Sequence, residues 1–115
     1  MRAESLDLTL GALADPTRRA ILRRLSQGET RVTDLARPFA ISLNSVSKHI
    51  RILERARLVR RRRAGREHLL SLDRAPLGEA ASWMEAQRNI WNTSRDVLEA
   101  LLDAEDALPA RKGKP

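Results

Sequence analysis

Between Lys48 and Arg66 the chain carries nine basic residues, Lys48, Arg51, Arg55, Arg57, Arg60, Arg61, Arg62, Arg63 and Arg66, against one acid, Glu54. That surplus of eight exceeds the +7 of the whole 115-residue chain, so everything outside the segment is close to neutral. Guanidinium and ammonium groups at this density are the chemistry of polyanion binding, because each neutralised phosphate releases its counterions. Short polar side chains stand at Ser42, Asn44, Ser45 and Ser47. An asparagine offers a donor and an acceptor side by side and could pair bidentately with adenine. Ser45 or Ser47 could bond to bases or phosphates, and Lys48 and Arg51 could read guanine or grip the backbone. A few base-reading groups beside many phosphate-gripping ones point to a nucleic-acid duplex.

A helix and a hairpin must position these groups. Ser42 is a cap residue, and the spacing predicts a fourth helix from Leu43 to about Arg55. At about 100° per residue, Val46, Ile50 and Leu53 fall on one side, and Asn44, Ser47, Lys48, Arg51 and Arg55 on the other. Leu58-Val59 with Arg60 to Arg63 reads as a strand, Ala64-Gly65 as a turn, and His68 to Leu72 as a returning strand with Leu70 and Leu72 on one face. Arg61, Arg63 and Arg66 would reach from this hairpin along an adjacent groove, where a narrow minor groove attracts cations. The competing reading is a solvated helix followed by an edge strand guarded by cations. Four consecutive arginines with almost no counter-charge exceed what edge protection needs.

The remaining elements follow from punctuation and period. Leu6, Leu10 and Leu13 give a short first helix; Asp15-Pro16 starts a second one that buries Ala20, Ile21, Leu22 and Leu25, leaves Arg18, Arg19, Arg23 and Arg24 mainly outside, and ends at Gly28. A short third helix begins between Thr30 and Thr33 and buries Val32, Leu35, Ala36 and Phe39, with Pro38 in its last turn. A last helix runs from near Ala75-Pro76 to about Leu102. Two series at seven-residue spacing, Trp83, Ile90, Val97 and Met84, Trp91, Leu98, lie side by side on it and make a stripe too wide for one contact. With Leu101 and the first-helix residues Leu6, Leu10 and Leu13, they form an expected two-fold dimer interface. A wholly intramolecular core, or a small-molecule pocket at the seam lined by Trp83 and Trp91, is the alternative. The expected fold is mainly α with a small β-hairpin: a winged helix-turn-helix of five helices and a two-stranded wing. Residues 1–107 form the DNA-binding and dimerisation domain, and 108–115, rich in Pro, Ala, Lys and Gly, a flexible tail.

Composition removes several function classes. There is no cysteine, which excludes disulfides and thiol chemistry, and only three aromatics, Phe39, Trp83 and Trp91. No apolar run approaches the ~18–20 residues of a membrane span, and no signal-peptide core is evident, so a cytoplasmic protein with no membrane partner is expected. Gly-rich phosphate loops, nucleophile elbows and metal clusters are missing, so neither an enzyme nor a cofactor is implied.

Leu13-Ala14-Asp15-Pro16-Thr17-Arg18-Arg19, Val32-Thr33-Asp34-Leu35-Ala36, the stretch from Ser42 through Leu53 with Val46-Ser47-Lys48-His49-Ile50, and Leu58-Val59 with the arginine wing together resemble the ArsR/SmtB family of bacterial transcriptional repressors. The likeness spans roughly residues 5–102. It implies a homodimer that binds operator DNA near promoters and represses transcription. The candidate DNA contacts are Thr33, Ser42, Asn44, Ser45, Ser47, Lys48, Arg51, Arg61, Arg63 and Arg66. Many members of the family sense metals through cysteines on the third helix or Asp/His/Glu clusters on the last. This chain has no cysteine, and its two histidines, His49 and His68, both lie before the last helix. The DNA-binding half of the family therefore carries over and the sensing half does not, leaving any small-molecule effector unknown. His49 reads as a packed or capping imidazole, with a phosphate contact as the alternative; His68 reads as a solvated strand residue. The expected function is a sequence-specific DNA-binding regulator, a repressor acting on a pseudo-palindromic operator. The alternative is a winged helix that binds nucleic acid with little sequence preference or acts mainly as a protein-interaction module.

Overall fold

Asp15 and Pro16 start a helix as their types require. In the computed structural model, which describes residues 3–107, the Asp15 carboxylate accepts a hydrogen bond from the Arg18 backbone N–H at 3.0 Å and Pro16 is the first helical residue. The elements in chain order are α1 (Ala3–Leu13), α2 (Pro16–Leu25), β1 (Thr30–Arg31), α3 (Val32–Ala36), α4 (Leu43–Arg55), β2 (Val59–Ala64), β3 (Glu67–Leu72) and α5 (Ala75–Asp106). This is the five-helix winged helix-turn-helix, and α3 and α4 are its helix-turn-helix. The tail expected at 108–115 lies outside the described residues.

The wing hairpin pairs β2 with β3 in antiparallel register from Val59 opposite Leu72 to Ala64 opposite Glu67. Its two-residue loop is Gly65-Arg66, one residue later than Ala64-Gly65. Gly65 has φ +65°, the conformation that a type II′ turn demands of its first loop residue. The wing differs from the two-stranded expectation in having a third strand. Thr30 and Arg31 pair with Leu70 and Leu69, giving the order β1-β3-β2. Two residues show a single in-out alternation, Thr30 buried and Arg31 exposed, which is too little for periodicity to register.

The chain divides after Ala81 into two compact units. In the first, Ile21, Leu35, Val46, Ile50, Leu53, Leu58 and Leu70 have no exposed surface, and each buried aliphatic side chain contributes roughly 1.5–3 kcal/mol. Two details depart from expectation. α3 stops at Ala36, so Pro38 lies beyond the helix rather than in its last turn; Arg37 before it keeps an α backbone, but Pro38 has no N–H to donate to the carbonyl four residues back, and the helical ladder cannot continue. Phe39 still packs against the core from the following turn. On α1 the fully buried positions are Thr9 and Ala12, while Leu6, Leu10 and Leu13 are half-buried. Small side chains there let the α1 backbone approach its neighbours closely.

α4 ends in a Schellman motif. Leu58 N–H donates to Leu53 C=O at 3.0 Å and Arg57 N–H to Glu54 C=O at 2.9 Å, with Arg57 at φ +62°. A left-handed non-glycine residue costs about 1–2 kcal/mol. The turn sends Leu58 and Val59 straight into the core, which offsets that strain and aims β2.

The second unit holds α5 beyond Ala81. Trp83, Met84, Ile90, Trp91, Val97, Leu98 and Leu101 are all exposed on it, Trp91 to 69%.

The Asp15 cap sets an acid limit on stability. The Arg18 N–H holds the Asp15 carboxyl below its ordinary value of 3.8, with a smaller contribution from the nearby His49 and Arg18 side chains. A depressed folded pKa adds stability above the ordinary value that is lost as pH falls through the folded value. Asp15→Ala is therefore predicted to cost about 1 kcal/mol at neutral pH. The gap from the unaltered chain should narrow as pH falls through and below 3.8. Urea titrations across pH check this, and a gap independent of pH would contradict it.

Candidate nucleic-acid interface

α4 presents two opposed rows. Val46, Ile50 and Leu53 are completely buried, and Asn44, Lys48 and Arg51 are exposed with Ser47 half-buried beside them. The polar row recurs at three- and four-residue spacing, so it forms one stripe along the helix. Among the described residues Asn44, Ser47, Lys48, Arg51 and Arg55 make no side-chain hydrogen bond or ion pair. Ser42 accepts from the Ser45 backbone N–H at 3.1 Å and donates its hydroxyl proton to Ser45 Oγ at 3.1 Å. Ser42 and Ser45 are thus tied together at the start of α4, while Asn44 between them is unoccupied. Thr33, exposed on α3, lines a depression of about 250 Å³ together with Arg31, Arg61, Arg66, Glu67 and His68. This brings Thr33 beside the wing.

What fixes the rotation of α4 is an arginine that the sequence pattern placed mainly outside. Arg18 is half-buried and reaches three partners: Nε donates to Ala12 C=O at 2.8 Å, Nη2 to Gly11 C=O at 3.1 Å, and Nη1 to His49 Nδ1 at 3.2 Å. The first two are carbonyls at the C-terminal end of α1, which have no partner within the helix. A guanidinium can only donate, so in this contact a neutral His49 accepts at Nδ1 and carries its ring proton on Nε2. His49 is thereby a packed imidazole that ties α4 to α1 and α2, with the Asp15 carboxylate 3.8 Å from the same nitrogen. His68 is exposed on β3 opposite Arg63.

The wing arginines divide by strand alternation. Arg61 and Arg63 share the face of Val59, and Arg60 and Arg62 take the other. Their charge is far from unopposed, which corrects the expectation of almost no counter-charge. Glu54 accepts from Arg61 Nε and Nη2 at 3.1 and 3.0 Å, Glu29 accepts from Arg62 Nε and Nη2 at 2.8 Å each, and Asp73 accepts from Arg60 at 3.0 and 2.8 Å. Glu29 and Asp73 lie outside the basic segment, so a count along the sequence misses them. The pairs leave their electrostatic mark. Arg62 holds the Glu29 carboxyl below its usual value, Glu54 raises Arg61, and Asp73 is lowered first by the Ala75 N–H it caps and then by Arg60. Arg63 Nε donates to Gly65 C=O at 3.1 Å, which stiffens the hairpin tip. Arg66, at the loop, has no partner among the described residues.

The cations available to a ligand are therefore Lys48, Arg51 and Arg55 on the helix, Arg57 at its end, and Arg66 at the tip, with Arg63 half committed. Arg18, Glu29 and Asp73 escaped sequence reasoning as parts of the site. The Asp-Pro-Thr-Arg-Arg run was the one signal that singled out Arg18, and it carries no hint of its partners. No group of three or more His, Cys, Asp or Glu side chains among the described residues is placed to hold a metal ion. No helix among them is long and apolar enough to cross a membrane.

A buried-versus-unpaired helix after a short helix and turn, followed by a basic hairpin, defines a winged helix-turn-helix DNA-binding protein. Residues 13–62 match a helix-turn-helix domain family. The chain is 41% identical over 101 residues to the HTH-type transcriptional regulator Rv2034 of Mycobacterium tuberculosis, covering 88% of this chain and 92% of that one. It is 38% identical over 73 residues to the transcriptional repressor SdpR of Bacillus subtilis, covering 64% of this chain and 81% of the relative. Among solved structures, an ArsR family transcriptional regulator superposes with a TM-score of 0.76 at 38% identity, over 80% of this chain and 95% of that chain. An ArsR-like regulator from Rhodococcus sp. RHA1 gives 0.77 at 26% identity, over 85% and 92%. The chain belongs to the ArsR/SmtB family of transcriptional regulators. It is a sequence-specific DNA-binding regulator of double-stranded DNA, not an enzyme.

Proposed function

We propose that this regulator is a cytoplasmic repressor that binds a pseudo-palindromic operator as a homodimer, with residues 1–107 serving both DNA binding and dimerisation. The observation that carries the reading is the row of unpaired polar and cationic side chains on α4, directly opposite its fully buried row. In this reading Asn44, Ser47, Lys48 and Arg51 enter the major groove, with Asn44 and Arg51 as base readers. Ser42 and Ser45 place the start of the helix against the backbone, and Thr33 adds a phosphate contact from α3. Arg63 and Arg66 grip phosphates from the wing, and Arg61 stands between the two groups. The SdpR relative is itself named a transcriptional repressor, which supports repression over activation.

The dimer reading rests on α5. Trp83, Ile90 and Val97, and Met84, Trp91 and Leu98, form two adjacent exposed rows, with Leu101 continuing them. An apolar stripe of this size on a soluble regulator calls for a covering surface. A second copy brings an identical stripe, and the half-buried Leu6, Leu10 and Leu13 of α1 offer further apolar area.

Two outcomes are predicted. Asn44→Ala combined with Arg51→Ala should lower affinity for the operator by about 1–3 kcal/mol per lost bidentate contact and flatten the preference over random duplex. Competition binding measures both, and a preference that survives both changes would place the reading face elsewhere. Replacing Trp91 and Leu98 with aspartate should give monomers by sedimentation and remove most operator affinity. An intact dimer after those changes would refute the interface.

A further inference from the structure

Glu54 is the one acid on α4, and it stands among cations. Lys48, Arg51 and Arg55 on the same helix have no partner among the described residues, whereas Glu54 gives both carboxylate oxygens to Arg61 of β2. It also lies in the last turn of the helix, where the negative end of the macrodipole disfavours an acid. Helix stability therefore does not account for it, and Arg61 does. We propose that Glu54 is a specificity-determining residue of this regulator, which withholds the Arg61 guanidinium from phosphate and so suppresses binding to duplexes that lack the operator sequence. The proposal rests on the DNA-binding reading of α4 and the wing given above.

The pair is built to be both accessible and persistent. Its side chains are 31% and 28% exposed, so a phosphate can approach, and two parallel N–H···O bonds at 3.1 and 3.0 Å hold the guanidinium in plane. An ion pair at such a surface adds little to folding stability. Its effect on DNA affinity is larger, because non-specific binding is almost wholly electrostatic and is counted phosphate by phosphate. A random duplex must recruit wing cations to compensate for absent base contacts, and Arg61 is held back by its carboxylate. On the operator, base contacts from α4 anchor the protein, and the Glu54–Arg61 pair can remain closed while it ties the reading helix to the wing. The penalty therefore falls on random sequence more than on the operator, and the ratio between them rises. Glu54 acts through Arg61 and is a positioning residue in this sense.

The test uses the full chain, the operator it selects from a pool of random duplexes, and a mixed-sequence duplex of equal length. Glu54→Gln keeps the shape and removes the charge. Random-duplex binding is expected to tighten about three- to tenfold at ~0.1 M salt, with a salt slope steeper by about two for a dimer that frees one arginine per protomer. Operator binding should change less, and thermal melts should overlay those of the unaltered chain. Glu54→Ala should behave alike. In an Arg61→Gln background the gain should vanish, since the released cation is gone. Random binding that is unchanged or weaker in Glu54→Gln would overturn the proposal, and so would a gain that persists without Arg61, which would be a general effect of net charge. A chain that selects no preferred sequence from the pool would instead overturn the underlying DNA-binding reading.

Discussion

The constraint on which the rest depends is the locked rotation of α4. A helix with free rotation about its axis would present its polar row in any direction. Here Val46, Ile50 and Leu53 are sealed in the core, and the Leu53 carbonyl is held by Leu58 through the αL turn at Arg57. At the other end Ser42 caps the helix. Midway along, His49 is gripped by Arg18, which also binds two terminal carbonyls of α1. Three different interactions, apolar burial, a cap and a charged hydrogen-bond junction, thus agree on one orientation. The outward direction of Asn44, Ser47, Lys48 and Arg51 follows from them without any further device.

The electrostatics are more selective than the composition implies. Nine cations in nineteen positions would make an indiscriminate polyanion surface if all were free. The fold sets Arg60, Arg61 and Arg62 against Asp73, Glu54 and Glu29, each drawn from a different element or loop. What stays open is a line of charge along α4 and at the hairpin tip. The neutralised arginines knit β2 to α4, to the loop before β1 and to the start of α5, so the wing is held in place by the same residues that make the segment basic.

Much of this was legible in the residues. The 46–50–53 period with its polar complement, the Ser42 and Asp15-Pro16 caps and the glycine turn each rest on local physics, and all of these appear in the structure. What escaped was non-local. Glu29 and Asp73 meet the wing only after the sheet has formed, and β1 is too short to carry a period. Arg18 looked like one of four solvated arginines because its partners lie on α1 and α4. The apolar pattern runs through Pro38 to Phe39, yet Pro38 has no N–H to carry the helical ladder on, and α3 ends at Ala36. On α1 the buried positions proved to be Thr9 and Ala12, which a hydrophobicity pattern ranks below the leucines beside them.

The central claim is that two copies of α4, held in one orientation, read successive turns of a duplex. Hydroxyl-radical footprinting on the selected operator tests it most directly. The account predicts two protected tracts on one face of the DNA, centred about one helical turn (~34–36 Å) apart and related by the two-fold of the site. A single protected tract, or uniform weak protection without a centre, would contradict it.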